Sequence, residues 1–151
     1  MNIIIGKFKL LDASSIQTTP NSNFNERLVE IYEDMKHIIS EYKPDEAAIE
    51  TLYFNKNIKT AIKVAEARGV VLLALERANI KISEYTPLQV KQSVVGYGRA
   101  EKKQVQQMIK SILNLKVVPK LDDTTDSIAM AICHAHSRNS ALNKYIKTDK
   151  R

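Results

Sequence analysis

Three acidic residues are placed where their carboxylates could bind a divalent cation. Glu50 follows the short apolar run 47–49, and in open α/β sheets ligands gather at the carboxyl ends of strands. Asp123 and Asp126 are three residues apart at the predicted start of the last helix, so both project from one side of its first turn. Hard oxygen ligands select Mg²⁺ or Mn²⁺ over zinc. The pattern indicates a metal-dependent site, where two cations could clamp both reacting oxygens of a phosphodiester.

Ordinary structural roles are the alternative for these residues. Glu50 could be a surface residue just past a strand, since Glu is rarely fully buried. Asp is a favoured N-cap, and acidic residues suit a helix N-terminus, so capping alone would explain the two aspartates. Asp122 is four residues from Asp126 and lies on the same face as Asp123. The spacing therefore leaves open which of the two is the partner of Asp126.

Histidine and cysteine offer no clear chemistry. His134 and His136 are two residues apart on the predicted last helix and cannot both face one way, so we expect satisfied core or surface side chains rather than a metal pair. Cys133 is the only cysteine, which excludes an intramolecular disulfide and makes a zinc cluster unlikely. Its context offers no base that would activate it as a nucleophile.

Basic residues suggest a polyanionic partner. The 23 Lys and Arg residues against 17 Asp and Glu give a formal charge of +6, which favours nucleic acid. One basic group follows the aromatic pair Tyr53 and Phe54, an arrangement that suits phosphate neutralisation and stacking on an unpaired base. Solvated helix faces and core aromatics are the alternative. The first group is Lys56, Lys59, Lys63 and Arg68; the second is Lys81, Lys91, Arg99, Lys102, Lys103, Lys110, Lys116 and Lys120.

Alternating strands and helices must position these side chains. Apolar spacing and the Gly and Pro positions predict strands over 2–5, 7–16, 47–49 and 81–85, and helices over 25–42, 57–78, 87–95, 101–115 and about 124–142. The continuous run 47–49 indicates a strand covered on both faces. The order predicts one α/β domain over 1–143 with a mixed sheet flanked by helices, followed by a basic tail over 144–151.

Composition limits the class of protein. At 151 residues and 44% hydrophobic composition, the chain can form one domain with a real core. Its longest apolar run, 69–75, is far shorter than the roughly 20 residues that a membrane-spanning helix needs. A signal peptide is not evident at the start of the sequence. We expect a soluble, cytoplasmic protein without a membrane partner.

Several segments together resemble the RuvC family of Holliday junction resolvases and follow that family's order. The resemblance extends from Phe24 to Ala141. It implies a ribonuclease-H-like fold, a homodimer with two active sites, and paired symmetric nicks in four-way junction DNA during recombination and repair. It also implies a branch-migration motor complex as a partner. The segments are KPDEAAIETLYFNKN from Lys43, AEARGVVLLA from Ala65, VKQSVVGYGRAEKKQVQQMI from Val90 and DDTTDSIAMAICHAH from Asp122.

The resemblance also assigns roles. Glu50 matches the family's strand-end catalytic glutamate, and Asp123 and Asp126 match its two helix-borne carboxylates, which by analogy favours Asp123 over Asp122. Together they would hold Mg²⁺, with Mn²⁺ as a substitute and two ions per active site. Lys102 matches a basic residue expected to stabilise the pentavalent phosphate. By the same resemblance Tyr53, Lys91 and Lys102 would contact DNA, and the helix over 59–78 is expected at the dimer interface. The basic and aromatic clustering adds Phe54, Lys56, Arg99 and Lys103 to the expected DNA-contacting residues.

This sequence departs from the family pattern at the first strand, in a segment that catalysis requires. In the family, the first strand continues into an Ile-Asp-Pro-Gly motif whose Asp is the central metal ligand, whereas here Gly6 is followed directly by Lys7. About a strand, a turn and the next strand are absent. Either the natural protein carries this segment between Gly6 and Lys7, or it lacks it and is a catalytically inactive junction-binding protein of the same fold. A third alternative is a ribonuclease-H-like nuclease that acts on RNA-containing substrates.

Overall fold

The computed structural model describes residues 2–4, 7–52, 58–118, 120 and 123–148, and the side chains of 8–52, 58–118, 120, 123–138 and 140. Strands and helices alternate along this part of the chain, which confirms the predicted α/β class. The elements in chain order are β1 Asn2–Ile4, β2 Lys7–Lys9, α1 Phe24–Tyr42, β3 Glu46–Glu50, α2 Ile58–Arg77, β4 Lys81–Tyr85, α3 Pro87–Val95, α4 Lys102–Ile112 and α5 Asp123–Thr148.

The chain divides into two compact units. The crossover unit is Ile16–Glu84, which contains α1, β3, α2 and all but the last residue of β4. The helical unit combines Met1–Ser15 with Tyr85–Arg151, and contains the β1–β2 pair and helices α3 to α5. The single domain over 1–143 stays a prediction.

In the crossover unit, β3 and β4 are hydrogen-bonded neighbours connected by α2, the β-α-β arrangement of parallel strands. Helix α1 packs on α2 and starts with a capping box, in which Asn23 and Glu26 bond each other's main-chain N–H groups. Residues 46–49 of β3 are half-buried, so the predicted double coverage is wrong for this chain by itself. The faces of a strand are covered by the elements packed on them, and this packing leaves part of each residue from 46 to 49 accessible to solvent.

The helical unit has the deepest core of the described residues. Helix α3 packs on α4 and α5, and α4 packs on α5. Ile109 of α4 and Ile132 of α5 are both completely buried. Helix α3 starts at Pro87, whose missing N–H is not needed at a first helical position, and Thr86 caps it. These contacts hold α5, which carries the two aspartates.

The strand predicted over 7–16 is wrong beyond Lys9. β1 and β2 are antiparallel, with Asn2 opposite Lys9 and Ile4 opposite Lys7, so the three residues of β1 are all paired and offer no partner to the residues that follow. Asp12 Oδ1 also accepts the main-chain N–H of Ala13 at 2.7 Å. Such local side-chain bonds compete with strand pairing.

The last two helices end at other positions than the sequence indicates. Helix α4 stops at Ile112 instead of residue 115, and Asn114 has a left-handed φ of 50°. Helix α5 continues to Thr148, past the predicted end near residue 142 and into the predicted tail. No Gly or Pro follows Pro119, so the two strongest helix-ending residue types are absent from this part of the sequence. Over the described residues, none of the helices is long and apolar enough to cross a membrane.

We predict that Ile132→Ala lowers the free energy of unfolding by about 2–5 kcal/mol, because it leaves a cavity at a completely buried position. Urea denaturation followed by circular dichroism measures the change. Val117→Ala is the matched control, because Val117 is 75% exposed and should shift stability by less than about 0.5 kcal/mol. Equal effects of the two substitutions would contradict the core described here.

Candidate active site

Glu50 is the last residue of β3, and its side chain is exposed. The half-buried Ala47, Ala48 and Ile49 hold the strand in place, while the exposed Glu50 keeps its carboxylate in water. At this position its main chain has a partner from α2, since Arg68 Nε donates to the Glu50 carbonyl at 3.3 Å. The strand end is therefore anchored, although the carboxylate faces solvent.

The guanidinium of Arg68 makes a second contact at the same sheet. Arg68 Nη2 lies 2.8 Å from Glu84 Oε2 on β4, and the side chains of Arg68 and Glu84 are 19% and 50% exposed. The sequence placed Arg68 in a phosphate-neutralising group, and in the structure this charge is instead paired inside the crossover unit. Sequence reasoning missed this role, although Arg68 stands in the inward stripe of α2, formed by positions 61, 65, 68, 72 and 75. A charged side chain on such an inward face is rarely buried unless it is paired with an opposite charge.

Asp123 and Asp126 lie in the first turn of α5, and both side chains are exposed. Between them Thr125 is only 3% exposed and donates its hydroxyl to the carbonyl of Lys120. Thr125 thus points inward, whereas the side chains of both aspartates are exposed to solvent. The positive end of the helix dipole favours negative charge in this turn. Asp122, the other candidate partner, lies outside the described residues.

The donor chemistry of these carboxylates fits a hard divalent cation, because all three are oxygen ligands that solvent can reach. Within the described residues, neither unit by itself brings three His, Cys, Asp or Glu side chains together for a metal ion. Asp123 and Asp126 provide a pair of ligands in the helical unit, and Glu50 provides one in the crossover unit. Their grouping around one metal centre stays a prediction.

The two histidines of α5 serve different contacts. His134 Nδ1 lies 2.8 Å from the hydroxyl of Tyr85, with the two rings edge to face. His136 Nδ1 lies 3.1 Å from Ser93 Oγ and 3.2 Å from the Ser93 carbonyl, and Phe8 packs against its ring. Each imidazole thus has hydrogen-bonding partners in the packing around α5. The structure supports the predicted structural role for both.

Cys133 is 2% exposed and its Sγ faces the carbonyl of Gln89 at 3.8 Å. Burial raises the pKa of the Cys133 thiol, and side-chain hydrogen bonds to Ser93 and Ser137 act in the opposite direction. A buried thiol with a raised pKa carries little thiolate at neutral pH. The structure gives no support to a nucleophilic role.

Exposed basic side chains surround the connection between α3 and α4 in the helical unit. Arg99, Lys102 and Lys103 are exposed, and Lys91 on α3 is half-buried. Lys102 and Lys103 open helix α4. The three aromatic and basic candidates that follow β3, namely Tyr53, Phe54 and Lys56, lie outside the described residues. The predicted DNA-contacting set is thus described in part, and its described basic members are available to solvent.

The α3–α4 connection starts with a glycine that its backbone requires. Gly96 has a φ of +99°, a conformation that side chains disfavour, and caps α3 with its N–H on the Gln92 carbonyl. At Gly98 a Cβ would meet only the end of the Leu88 side chain, which is 54% exposed and free to move. The connection therefore turns tightly and brings the basic start of α4 back beside α3.

Comparison with known proteins gives this chain close relatives. The model of the family "Crossover junction endodeoxyribonuclease RuvC" matches residues 3–134. The crossover junction endodeoxyribonuclease RuvC of Ruminiclostridium cellulolyticum is 55% identical over 131 residues, which cover 87% of this chain and 79% of that protein. The protein of the same name from Clostridioides difficile is 53% identical over 144 residues, covering 95% of this chain and 82% of the relative.

Solved structures share the fold. The Thermus thermophilus RuvC structure matches with a TM-score of 0.83 at 30% identity, over 93% of this chain and 85% of that one. The T. thermophilus RuvC in complex with Holliday junction substrate matches with a TM-score of 0.86 at 30% identity, over 93% of this chain and 86% of the other. The ribonuclease-H-like fold expected from the sequence is confirmed.

We predict that Cys133 in the folded protein reacts with a disulfide reagent at pH 8 at least about 100-fold more slowly than in 6 M guanidinium, because burial both shields the thiol and raises its pKa. Absorbance of the released thiolate measures the rate. A folded-state rate equal to the unfolded one would contradict the buried position of this thiol.

Proposed function

The chain belongs to the RuvC family of crossover junction endodeoxyribonucleases, and from this premise we propose that it resolves four-way DNA junctions by paired, symmetric nicks. The observation that supports this most is the exposed pair Asp123 and Asp126 on the first turn of α5. In the same unit, exposed basic side chains open α4. Carboxylates for a cation and cations for phosphates are the two groups that metal-assisted phosphodiester hydrolysis requires.

Glu50, Asp123 and Asp126 would hold Mg²⁺, or Mn²⁺ in its place, at two ions per active site. The bound ions would supply charge neutralisation for the carboxylates and for the phosphorane-like transition state. The chain's own residues contribute the geometry of this site. The anchored end of β3 fixes Glu50, and the inward bond of Thr125 fixes the turn that carries both aspartates.

Basic side chains would bind the junction backbone. Lys91, Arg99 and Lys103 would neutralise phosphates, and Lys102 would stabilise the extra negative charge of the pentavalent phosphate. Tyr53 and Phe54 would stack near the junction centre, with Lys56 beside them on the backbone. Water attack on phosphorus expels the 3′-oxygen, so each nick leaves a 5′-phosphate and a 3′-hydroxyl that a ligase can rejoin.

The active form would be a homodimer, because symmetric nicks on two strands require two active sites. Helix α2 supports this with a second apolar face, beside its inward stripe, that is exposed in the single chain. Its members are Ile58, which is 76% exposed, Ile62 at 50% and Leu73 at 53%. Burying such a face in a symmetric contact would remove it from water. A branch-migration motor complex as further partner, and the cytoplasm as location, belong to the same proposal.

A second candidate function is junction binding without cleavage. The direct step from Gly6 to Lys7 favours it, since the family's first-strand Asp has no counterpart there, and β1 and β2 pair with each other across this point. Intact-mass measurement of the protein from its native cell separates the two cases. A mass of 17.1 kDa means that the segment is absent, and an excess on the order of 2 kDa means that it is present.

We predict that the protein with Mg²⁺ nicks a synthetic four-way junction symmetrically and that the products can be ligated. Asp126→Asn should lower the rate by at least about 100-fold and change junction affinity by less than about threefold, because metal binding is lost while the basic surface stays intact. Gel analysis of labelled arms measures cutting, and a mobility shift in EDTA measures binding.

The control variant is Asp34→Asn, an exposed carboxylate on α1 that should change neither value. Binding without cutting by the wild-type protein would favour the non-catalytic candidate. Faster cutting of an RNA–DNA hybrid than of the junction would instead favour the nuclease for RNA-containing substrates. Equal loss of binding and cutting in Asp126→Asn would contradict the role proposed for Asp126.

A further inference from the structure

Arg68 connects three elements of the crossover unit at the sheet. It starts from the middle of α2, its Nε donates to the main-chain carbonyl of Glu50 at the end of β3, and its Nη2 pairs with Glu84 one residue before the end of β4. Two different nitrogens are used, so both contacts can exist at once. A planar guanidinium suits such a double contact, because its donors lie in a fixed fork.

Arg68, Glu84 and Glu50 differ in how far their side chains are exposed to solvent, which indicates different roles. The Arg68 side chain is 19% exposed, whereas that of Glu84 is 50% exposed and that of Glu50 also faces solvent. A surface ion pair of two mobile side chains would contribute little. Here the guanidinium is largely withdrawn from water and keeps its orientation through Glu84. It is thus a fixed donor for the strand end, and not a charge available to a phosphate.

We propose that Arg68 is a positioning residue for Glu50: it holds the carboxyl end of β3 through the Glu50 carbonyl, while Glu84 holds the guanidinium. This rests on the proposed role of Glu50 as a metal ligand. Loss of this bond would release the last residue of β3, which has only β4 beside it among the described strands, and a displaced Cα would carry the carboxylate away from its ligand position. Misplacement of a catalytic group by about 1 Å can cost a factor of 100 in rate.

The ion pair with Arg68 also determines whether Glu84 can bind a metal ion. Its carboxylate lies on the strand next to Glu50 and is an oxygen donor near the predicted site, yet Arg68 neutralises it. Glu84 therefore does not replace a missing metal ligand while Arg68 is in place. Arg68 thus positions the Glu50 carboxylate for the cation and keeps the neighbouring Glu84 carboxylate from binding it.

Hydrogen exchange tests the anchoring without metal or DNA. In Arg68→Met, which keeps the length of the apolar stem, we expect amides over 50–52 to exchange at least about tenfold faster, because a hydrogen bond from a charged donor to the strand end is lost. Arg68→Lys should recover part of the protection, since one ammonium cannot reproduce the fork. The matched control is Arg77→Met, at an exposed arginine of the same helix. Unchanged exchange in Arg68→Met would overturn the proposal.

Metal binding and cleavage test the consequence for Glu50. Arg68→Met should weaken Mn²⁺ binding several-fold in calorimetric titration and lower kcat by about tenfold or more, with junction affinity in EDTA unchanged. A parallel loss of junction affinity would mean that Arg68 contacts DNA, and would overturn the positioning role. Thermal unfolding of each variant accompanies these measurements, and Arg68→Lys provides the same comparison if Arg68→Met does not fold.

The double variant Arg68→Met with Glu84→Gln decides between two explanations. If Arg68 served only to neutralise Glu84, removal of the Glu84 charge would restore exchange, metal binding and kcat to the values of Glu84→Gln alone. We expect no such restoration, because the bond to the Glu50 carbonyl stays absent, and full restoration would overturn the proposal. The exchange measurement needs no nuclease activity. If the wild-type protein never cuts junctions, the proposed function is contradicted, but hydrogen exchange still tests the positioning role of Arg68.

Discussion

A carboxylate that is to bind a cation has to remain in water while the backbone that carries it is held still. In this protein the two demands are met by neighbouring residues. Thr125 is buried and bonded to the Lys120 carbonyl, whereas Asp123 and Asp126 on either side of it are exposed. Glu50 is exposed, whereas its own carbonyl accepts from the largely buried Arg68. The core of each unit therefore contributes to the site by fixing main chain, and the acidic side chains stay free to meet a metal.

The basic side chains also fall into two groups, one paired within the protein and one exposed to solvent. Arg68 is paired inside the crossover unit and organises the ends of β3 and β4. Arg99, Lys102 and Lys103 are exposed around the α3–α4 connection and so remain available to phosphates. A net charge of +6 by itself does not distinguish these two uses. The relevant property is whether the charge already has a partner, because a guanidinium bound to a carboxylate has lost much of its attraction for DNA.

Sequence patterns predicted what depends on local chemistry. Apolar spacing and Pro44 located α1 to within one residue, and the spacing of His134 and His136 correctly excluded a shared face, since they contact Tyr85 and Ser93. Features that depend on a distant partner were missed. The length of β2 is limited by the three residues of β1, and the role of Arg68 depends on Glu84 of another strand. The sequence identified the three carboxylates as candidate metal ligands. Whether they bind the same metal centre depends on two parts of the chain that are far apart in sequence.

We propose that Glu50 and the two aspartates of α5 bind the same metal centre. Iron(II) in place of Mg²⁺, with added hydrogen peroxide and ascorbate, tests this directly. The bound iron(II) reduces peroxide to hydroxyl radicals that cut the nearby main chain, ascorbate regenerates iron(II), and mass spectrometry locates the cuts. We expect cuts at both the end of β3 near residue 50 and the first turn of α5 near 123–126, with both lost on addition of excess Mg²⁺. Cuts at only one of these segments, or at neither, would contradict this proposal.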